Sequence, residues 1–239
     1  MKLQNKVAVI SGASKGLGRA LAIRFVKEGA LVCVCARNSD LLRSLQLEIL
    51  SSGGKFHCEQ ADVSDENQSR EFIQNCYKTY GNIHILVNNA SVLGARVPIA
   101  DYPSMEWHKT LSVNLNGVFY LTKHAIPLFD SSGGSIINVS SSLGKINKEN
   151  WGAYSVSKFA VEGLTQGLAE ELKNKHIRVN AVNPGPMKTE MRQKAYMQGD
   201  KVIAKNPADV LDVFVYLSSD FSKHVTGKSI DAQQFKETL

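Results

Sequence analysis

Two residues that could transfer a proton lie one helical turn apart: Tyr154 and Lys158, in the segment Trp151-Gly-Ala-Tyr-Ser-Val-Ser-Lys158. On a helix, positions i and i+4 share a face, so the ammonium group can lie beside the phenol. A neighbouring cation favours phenolate, and we expect Lys158 to lower the pKa of Tyr154 toward the range of a general acid or base. Ser141 precedes Tyr154 by thirteen residues and is predicted to hold a substrate oxygen. The alternative is a solvated helix face without chemical function.

A glycine-rich turn near the N-terminus could bind a phosphate group. The segment reads Lys6-Val-Ala-Val-Ile-Ser-Gly-Ala-Ser-Lys-Gly-Leu-Gly18, a short apolar strand followed by three glycines where an amphipathic helix opens. Glycines allow the backbone to turn tightly and approach a pyrophosphate, which the free amides at a helix N-terminus stabilise. The turn therefore indicates a dinucleotide site, although an ordinary strand-to-helix turn has the same composition.

Further segments follow in a fixed order along the chain. They are Asp62-Val63, Asn88-Asn-Ala-Ser91, Asn114, and Asn183-Pro-Gly185 with Thr189. Together with the glycine turn and the Ser141, Tyr154 and Lys158 set, they resemble the short-chain dehydrogenase/reductase family from about Lys6 to about Asp231. Two departures are that Ser91 stands where the family has glycine, and that the C-terminal segment Ser229-Ile-Asp-Ala-Gln-Gln-Phe lacks the usual Asp-Gly-Gly.

The resemblance implies roles for residues at matching positions. The catalytic residues would be Asn114, Ser141, Tyr154 and Lys158, with Asn114 holding a water that links Lys158 to solvent. The substrate would contact Ser141, Leu143, Trp151 and Tyr154. The cofactor would contact Tyr154 and Lys158 together with Gly12, Ser14, Lys15, Gly16, Leu17, Gly18, Arg37, Asp62, Val63, Asn89, Ala90, Pro184, Gly185, Met187 and Thr189.

Alternating strand and helix patterns predict a single-domain Rossmann-type α/β fold over residues 1–239, a doubly wound parallel sheet with helices on both faces. Strand-like runs fall at 7–10, 31–35, 55–58, 83–87, 135–139, 178–182 and 229–231. Helical patterns fall at 17–28, 40–50, 65–80, 105–129, 154–174 and 208–218, the last begun by Asn206-Pro207. Residues 186–206 are expected to form a flap over the substrate, with Met187, Met191, Met197 and Tyr196 facing either an apolar substrate or a packing surface.

Three positions bear on the choice between NAD(H) and NADP(H). An acidic residue at the end of the second strand would accept the ribose hydroxyls of NAD and repel a 2′-phosphate. Ala36 occupies that place here, and Arg37 and Lys15 lie nearby. Guanidinium and ammonium groups pair well with phosphate, so the sequence favours NADP(H). The alternative is that both cations face solvent.

Composition limits the class of protein. A hydrophobic fraction of 43% supports a sizeable core, and no apolar run approaches the ~20 residues that cross a bilayer. The net charge of +6 is spread among acidic residues, which favours a solvated exterior over a nucleic-acid surface. The lack of a bilayer-crossing run, together with an N-terminal apolar segment at 7–10 that is too short for a signal-peptide core, predicts a cytoplasmic location. The four cysteines form no C-x-x-C pair and the six histidines are scattered, so we expect reduced thiols and no metal site.

The substrate is left open between a small or lipophilic carbonyl compound and a 3-oxoacyl chain on an acyl carrier protein. An acidic carrier protein needs a basic docking face, and residues 129–134 contain no cation, which favours the first. A non-catalytic NADPH-binding regulator is a third alternative, but such a protein would be expected to lack Ser141, Tyr154 or Lys158. The resemblance also implies a homodimer or homotetramer, formed through the helices at 105–129 and 154–174.

Overall fold

The computed structural model describes residues 1–196 and 202–236 of the 239-residue chain. Seven strands pair in the described part of the chain: β1 (Val7–Ser11), β2 (Leu31–Ala36), β3 (Phe56–Gln60), β4 (Ile85–Asn88), β5 (Gly134–Val139), β6 (Ile177–Asn183) and β7 (Ser229–Asp231). They form one parallel sheet in the order β3-β2-β1-β4-β5-β6-β7. The order reverses between β1 and β4, which is where ligands bind in doubly wound sheets.

Helices connect the strands on both faces. They are α1 (Gly16–Lys27), α2 (Ser39–Ser51), α3 (Glu66–Tyr80), α4 (Ser104–Leu111), α5 (Gly117–Ala125), α6 (Gly152–Glu171), α7 (Glu190–Ala195) and α8 (Asp212–Ser218). No helix in residues 1–196 and 202–236 has the length and apolar composition that crossing a bilayer requires.

The sheet separates two apolar cores because successive side chains of a strand point to opposite faces. Val32 and Val34 of β2 pack with α1, α2 and α8 on one face. Cys33 and Cys35, from the same strand, pack with α3, α5 and α6 on the other. Both cores exclude water almost completely, as expected for a parallel sheet covered by helices on both sides. The predicted doubly wound fold is confirmed.

The region predicted as one helix at 105–129 is divided. Residues Ser112–Asn116 form a π turn between α4 and α5, and Ile126–Leu128 form a 3₁₀ turn that contains Pro127. Proline has no amide hydrogen to donate, so the regular helix ends before it. The π turn inserts an extra residue into the helix and contains Asn114; such turns often occur at functional sites.

The region predicted as one helix at 208–218 is divided, since its first residues form a 3₁₀ turn and only Asp212–Ser218 is α-helical. Asn206 caps the 3₁₀ turn Pro207–Val210 through a capping box with Asp209, and α8 follows at Asp212. Of the predicted flap at 186–206, the described residues contain α7, and Met197 lies outside them.

Candidate active site

The glycine turn after β1 is packed too tightly for side chains. A Cβ atom at Gly18 would lie 2.4 Å from the carbonyl oxygen of Gly12. Gly12 has φ of +69°, and a Cβ there would lie 2.7 Å from Cα of Ala90. Contacts this short are forbidden to carbon, so the backbone of β1, α1 and the end of β4 can meet here only because both residues are glycine.

Ser11 and Asn89 fix the turn against the end of β4. The Ser11 hydroxyl accepts hydrogen bonds from the backbone amides of Asn89 and Ala90, both at 3.1 Å. The Asn89 side-chain amide donates to the carbonyl oxygens of Ser11 at 2.9 Å and Gly12 at 3.0 Å. The cofactor-binding role implied for Asn89 therefore includes bracing the glycine turn with its side chain.

The N-terminus of α1 suits an anion. Lys15 stands at its N-cap position and makes no side-chain capping bond, and the first turn contains no acidic residue. The first backbone amides of the helix are thus not capped by a side chain, and the helix dipole is positive at this end. A pyrophosphate fits the donors and the charge of this turn.

A cleft of about 560 Å³ opens at the carboxyl ends of the strands beside this turn. Fifteen of the predicted cofactor residues line it: Gly12, Ser14, Lys15, Gly16, Leu17, Arg37, Asp62, Val63, Asn89, Ala90, Tyr154, Lys158, Pro184, Met187 and Thr189. Gly18 and Gly185 lie behind the wall rather than on it, since Gly18 faces Gly12 and Gly185 faces Gln233.

Sequence reasoning missed several lining residues. They include Asn38, Leu41, Val92, Val113, Val139, Ser140 and Glu190. Ser91 and Ser140 also line the cleft, and their buried hydroxyls find no hydrogen-bond partner in the described part of the chain. Most of these residues adjoin a motif at the end of a strand, which is the signal that could have found them. The unpartnered hydroxyls are consistent with a polar ligand in the cleft.

Tyr154 and Lys158 line this cleft, and Ser141 lies beside Tyr154 at its edge. Ser141 caps the short 3₁₀ turn after β5 by accepting the Leu143 amide at 3.2 Å, and its hydroxyl lies beside the Tyr154 phenol and acts to lower the pKa of that phenol. Lys158 is 3% exposed and donates from Nζ to the carbonyl oxygen of Val139 at 2.8 Å. Its Nζ lies 5.6 Å from the centroid of the Tyr154 ring.

The acidity of Tyr154 differs from the sequence-based expectation. Burial raises the pKa of Tyr154 to about 12, opposed by its hydrogen bond with Ser141 and reinforced by Tyr196. Burial likewise lowers the pKa of Lys158 to about 8, although Glu162 partly opposes this. Desolvation disfavours both charged forms, and here it outweighs the attraction of the ammonium group for phenolate. The proton therefore stays on the phenol at neutral pH.

Asn114 is fully buried and its side chain is already bonded. Its Oδ1 accepts from the Val92 amide at 2.8 Å, and its Nδ2 donates to the Val92 carbonyl at 2.9 Å and to the Ser157 hydroxyl at 3.1 Å. The side chain thus joins the π turn to the loop after β4 and to α6. Its Oδ1 has a second lone pair that these contacts do not use, so the implied water-holding role stays a prediction, and the contacts add a positioning role.

Of the residues expected at the substrate, Tyr154 lines the cleft, whereas Ser141, Leu143 and Trp151 lie next to it. Trp151 is 6% exposed, and its ring centroid lies 5.6 Å from that of Tyr154. Leu143 is also 6% exposed, and its carbonyl oxygen accepts the Ser155 hydroxyl at 2.7 Å. Trp151 therefore adjoins the catalytic centre directly, whereas Leu143 packs the turn that carries Ser141.

The two cations predicted to select the cofactor have carboxylate neighbours. Lys15 forms an ion pair with Glu190 at the start of α7, and Arg37 lies 3.9 Å from Asp62. More than half of each basic side chain is exposed, and ion pairs of this kind contribute little free energy. A phosphate group can therefore displace either carboxylate. The predicted pairing of Lys15 and Arg37 with a 2′-phosphate stays a prediction.

The altered C-terminus has a structural task. Gln233 donates from Nε2 to the carbonyl oxygens of Pro186 at 2.8 Å and Pro184 at 3.2 Å. Asp231 accepts from Nδ2 of Asn183 at 2.7 Å. The segment that replaces Asp-Gly-Gly thus holds the loop at residues 184–186, whose first residue lines the cleft.

Comparison with known proteins identifies the family. A model of the short chain dehydrogenase family matches residues 6–199. Among similar proteins are an uncharacterized oxidoreductase, YciK, of Escherichia coli K12 (34% identity over 97% of this chain and 93% of the relative) and a 3-oxoacyl-[acyl-carrier-protein] reductase of Thermotoga maritima (34%, 96% and 97%). A crystal structure of a short chain dehydrogenase from Shigella flexneri complexed with NADP superposes with a TM-score of 0.92 at 33% identity, covering 97% of this chain and 99% of that one. The chain belongs to the short-chain dehydrogenase/reductase family of oxidoreductases.

The brace at the C-terminus can be tested by removing one amide. Gln233→Ala deletes both hydrogen bonds to the loop at 184–186; at about 1 kcal/mol each, their loss should raise the Kd for NADPH by up to roughly thirtyfold. The neighbouring Gln234 is exposed, so Gln234→Ala is the matched control. Fluorescence titration with NADPH measures both; equal affinities for the two variants would contradict the brace.

Proposed function

We propose that the protein is an NADP(H)-dependent oxidoreductase that interconverts a carbonyl compound and its secondary alcohol. One observation carries this proposal: Tyr154 and Lys158 line the cleft formed by the glycine turn, and Ser141 lies beside Tyr154. The proton donor Tyr154, the Ser141 hydroxyl that binds the substrate oxygen, and the nucleotide-binding turn can then all act on the same carbonyl group. The relatives support the reaction class, since one is a cyclohexanol dehydrogenase of Acinetobacter with 32% identity over 95% of this chain.

Each catalytic side chain has a distinct task in this proposal. Tyr154 donates its phenolic proton to the substrate oxygen during reduction, and it accepts that proton during oxidation. Ser141 hydrogen-bonds the same oxygen, its own position fixed by the Leu143 amide. The ammonium group of Lys158 has three N–H donors, one of which bonds the carbonyl oxygen of Val139. Its other donors hold the bound nucleotide. Asn114 keeps the loop after β4 in place.

The nicotinamide cofactor supplies or accepts the hydride when bound, chemistry that protein side chains lack. The chain fits such a group through the uncapped start of α1, the glycines that admit a close pyrophosphate, and the unpartnered hydroxyls of Ser91 and Ser140. Trp151 and the 3₁₀ turn after Ser141 shield the reacting atoms from water.

Cofactor preference follows from the end of β2. Ala36 offers no carboxylate to repel a 2′-phosphate, and the half-exposed Arg37 and Lys15 both line the cleft there. Structures similar to this chain are complexed with NADP and with NADPH. Both observations support NADP(H) over NAD(H).

Replacing Arg37 should change the cofactor preference. Loss of a charge-assisted hydrogen bond costs about 1.5–3 kcal/mol, so Arg37→Asp should weaken NADPH binding at least tenfold and leave NADH binding nearly unchanged. Arg43 is exposed on α2, and Arg43→Asp controls for the change in net charge. Titration of both cofactors against the three proteins decides the matter; a wild type that prefers NADH contradicts the assignment.

The proton donor is tested by removing one oxygen atom. Tyr154→Phe keeps the ring for packing but should lower turnover roughly 10²–10⁴-fold, the usual contribution of a positioned acid. NADPH affinity should fall by less than about tenfold, because at most one hydrogen bond to the cofactor is lost and the ring that lines the cleft is kept. Tyr77 is 39% exposed on α3, which makes Tyr77→Phe the control. Wild-type turnover by Tyr154→Phe on a verified substrate would falsify the mechanism.

Opposite pH dependences are expected for the two directions. Reduction needs the protonated phenol, which a pKa of about 12 maintains throughout the neutral range. Oxidation needs phenolate, whose fraction rises about tenfold per pH unit below that pKa. The pH–rate profile of alcohol oxidation should therefore rise toward alkaline pH, with an optimum at least about one unit above that of reduction. Coincident optima for the two directions would contradict this assignment of the pKa.

The substrate class is decided by a panel. Cyclohexanone, a 3-oxosteroid and a 3-oxoacyl thioester represent relatives that act on cyclic alcohols, steroids and acyl chains. Following NADPH absorbance with each compound distinguishes a reductase of small or lipophilic carbonyl compounds from a 3-oxoacyl-[acyl-carrier-protein] reductase. A wild type that binds NADPH but reduces none of a broad carbonyl panel favours a non-catalytic regulator.

We further propose that the protein forms at least a homodimer through the outer faces of α5 and α6. Phe119 on α5 and Val156 and Phe159 on α6 are more than two-fifths exposed, which is unusual for apolar side chains of this size on neighbouring helices.

The four cysteines are unpaired thiols, which supports the proposed cytoplasmic location.

Light scattering tests the assembly. The wild type at micromolar concentration should have at least twice the 26.2 kDa mass of the chain. Phe159→Asp places a charge in the apolar face and should shift the protein to monomer, whereas Phe221→Asp, at a side chain 65% exposed elsewhere, should not. A wild type that scatters as a monomer refutes the proposal.

A further inference from the structure

Arg96 joins three separate chain segments beside the catalytic tyrosine. It lies in the loop after β4, and its guanidinium carbon is 3.9 Å from the centroid of the Trp151 ring and 5.8 Å from that of Tyr196. Its Nε donates to the carbonyl oxygen of Asn150 at 2.9 Å, and its Nη1 donates to that of Ala195 at 2.8 Å. The planar group thus lies over the Trp151 ring and beside the Tyr196 ring, and it bonds the backbone next to each of them.

No carboxylate contacts Arg96 within residues 1–196 and 202–236. Its charge is instead stabilised by the π faces and by two carbonyl oxygens, the partners that a rigid guanidinium fork suits best. The single ammonium nitrogen of a lysine lacks the planar array of N–H donors that lets Arg96 reach the carbonyl oxygens of Asn150 and Ala195 at the same time. The site therefore needs arginine in particular, which points to a task beyond surface charge.

The cluster covers the side of Tyr154 that faces away from the cofactor. Tyr154 lines the cofactor cleft, whereas Arg96, Trp151 and Tyr196 do not. Trp151 packs on Tyr154 on one side and lies 6.0 Å from Tyr196, between ring centroids, on the other. A substrate that places its carbonyl group at Tyr154 and Ser141 must displace or slide beneath this cover, since Trp151 is only 6% exposed.

We propose that Arg96 is a positioning residue that clasps the end of α7 onto Trp151 and so closes the substrate side of the active site. The clasp aligns Trp151 against Tyr154 and keeps water from the phenol while the site is closed. Opening requires the bonds to Ala195 and the contact with Tyr196 to break, whereas the bond to Asn150 can persist. This inference deepens the proposed function, because it assigns the residue that controls substrate access to that site.

Fluorescence of Trp151 reports the closed state without any substrate. The chain has two tryptophans, so a Trp107→Phe background makes Trp151 the sole reporter. In the protein saturated with NADPH, Arg96→Met should raise the open population roughly tenfold or more, because two hydrogen bonds and a cation–π contact are lost. Acrylamide quenching should rise accordingly, and Arg96→Lys should show an intermediate increase. Arg43→Met is the control and should match the parent.

The kinetic readout separates a clasp from a purely structural arginine. Arg96→Met should raise the KM for a verified carbonyl substrate about tenfold while the Kd for NADPH changes less than twofold. Unchanged quenching in both Arg96 variants, measured well below their unfolding temperatures, overturns the proposal, and so does an equal loss of NADPH and carbonyl binding. If Arg96→Met does not fold, Arg96→Lys and Tyr196→Leu carry the same test. Increased quenching in a wild-type background that reduces no carbonyl would leave the clasp standing and refute the oxidoreductase function instead.

Discussion

The site depends on one buried ammonium group, that of Lys158, held by the carbonyl oxygen of Val139 at the end of β5. Burying a charge is costly unless it is hydrogen-bonded, and the lowered pKa of about 8 reflects that cost. The bond can form only when α6 is docked against the carboxyl edge of the sheet. The same docking places Tyr154, one turn earlier, beside Ser141 on the loop that leaves β5. A single contact therefore couples the packing of a helix to the assembly of the proposed catalytic centre.

Two asparagine amides extend this arrangement to the nucleotide side. Asn114 pairs with both backbone groups of Val92, which requires the helix to widen into the π turn between α4 and α5. Asn89 bonds the carbonyl of Gly12 and so holds the glycine turn against β4. Each amide is satisfied by backbone from another element, as buried polar groups require. Because loops are fixed by such pairs before any ligand binds, the cleft needs little reorganisation to accept a nucleotide.

Local patterns predicted the features that depend on nearby residues. Alternation along β2, the glycines before α1 and the spacing of Tyr154 and Lys158 are all set within a few residues, and the structure brings them to one edge. Long-range partners were out of reach: Glu190 meets Lys15 across 175 residues, and Arg96 meets Ala195 across 99. The acidity of Tyr154 was misjudged for a related reason. Spacing reveals a neighbouring charge, but the depth of burial, which dominates here, is a property of the whole fold.

The central claim is that hydride and proton reach one carbonyl group at the Tyr154 end of the cleft. The most direct measurement is a mass spectrum of the alcohol formed from a carbonyl substrate with NADPH that carries deuterium at both C4 positions of the nicotinamide. The account predicts a product heavier by about 1 Da, with the deuterium on the carbinol carbon, in ordinary water. The same reaction in heavy water with unlabelled NADPH should label only the exchangeable hydroxyl. An alcohol that gains no deuterium from the labelled cofactor would contradict the account.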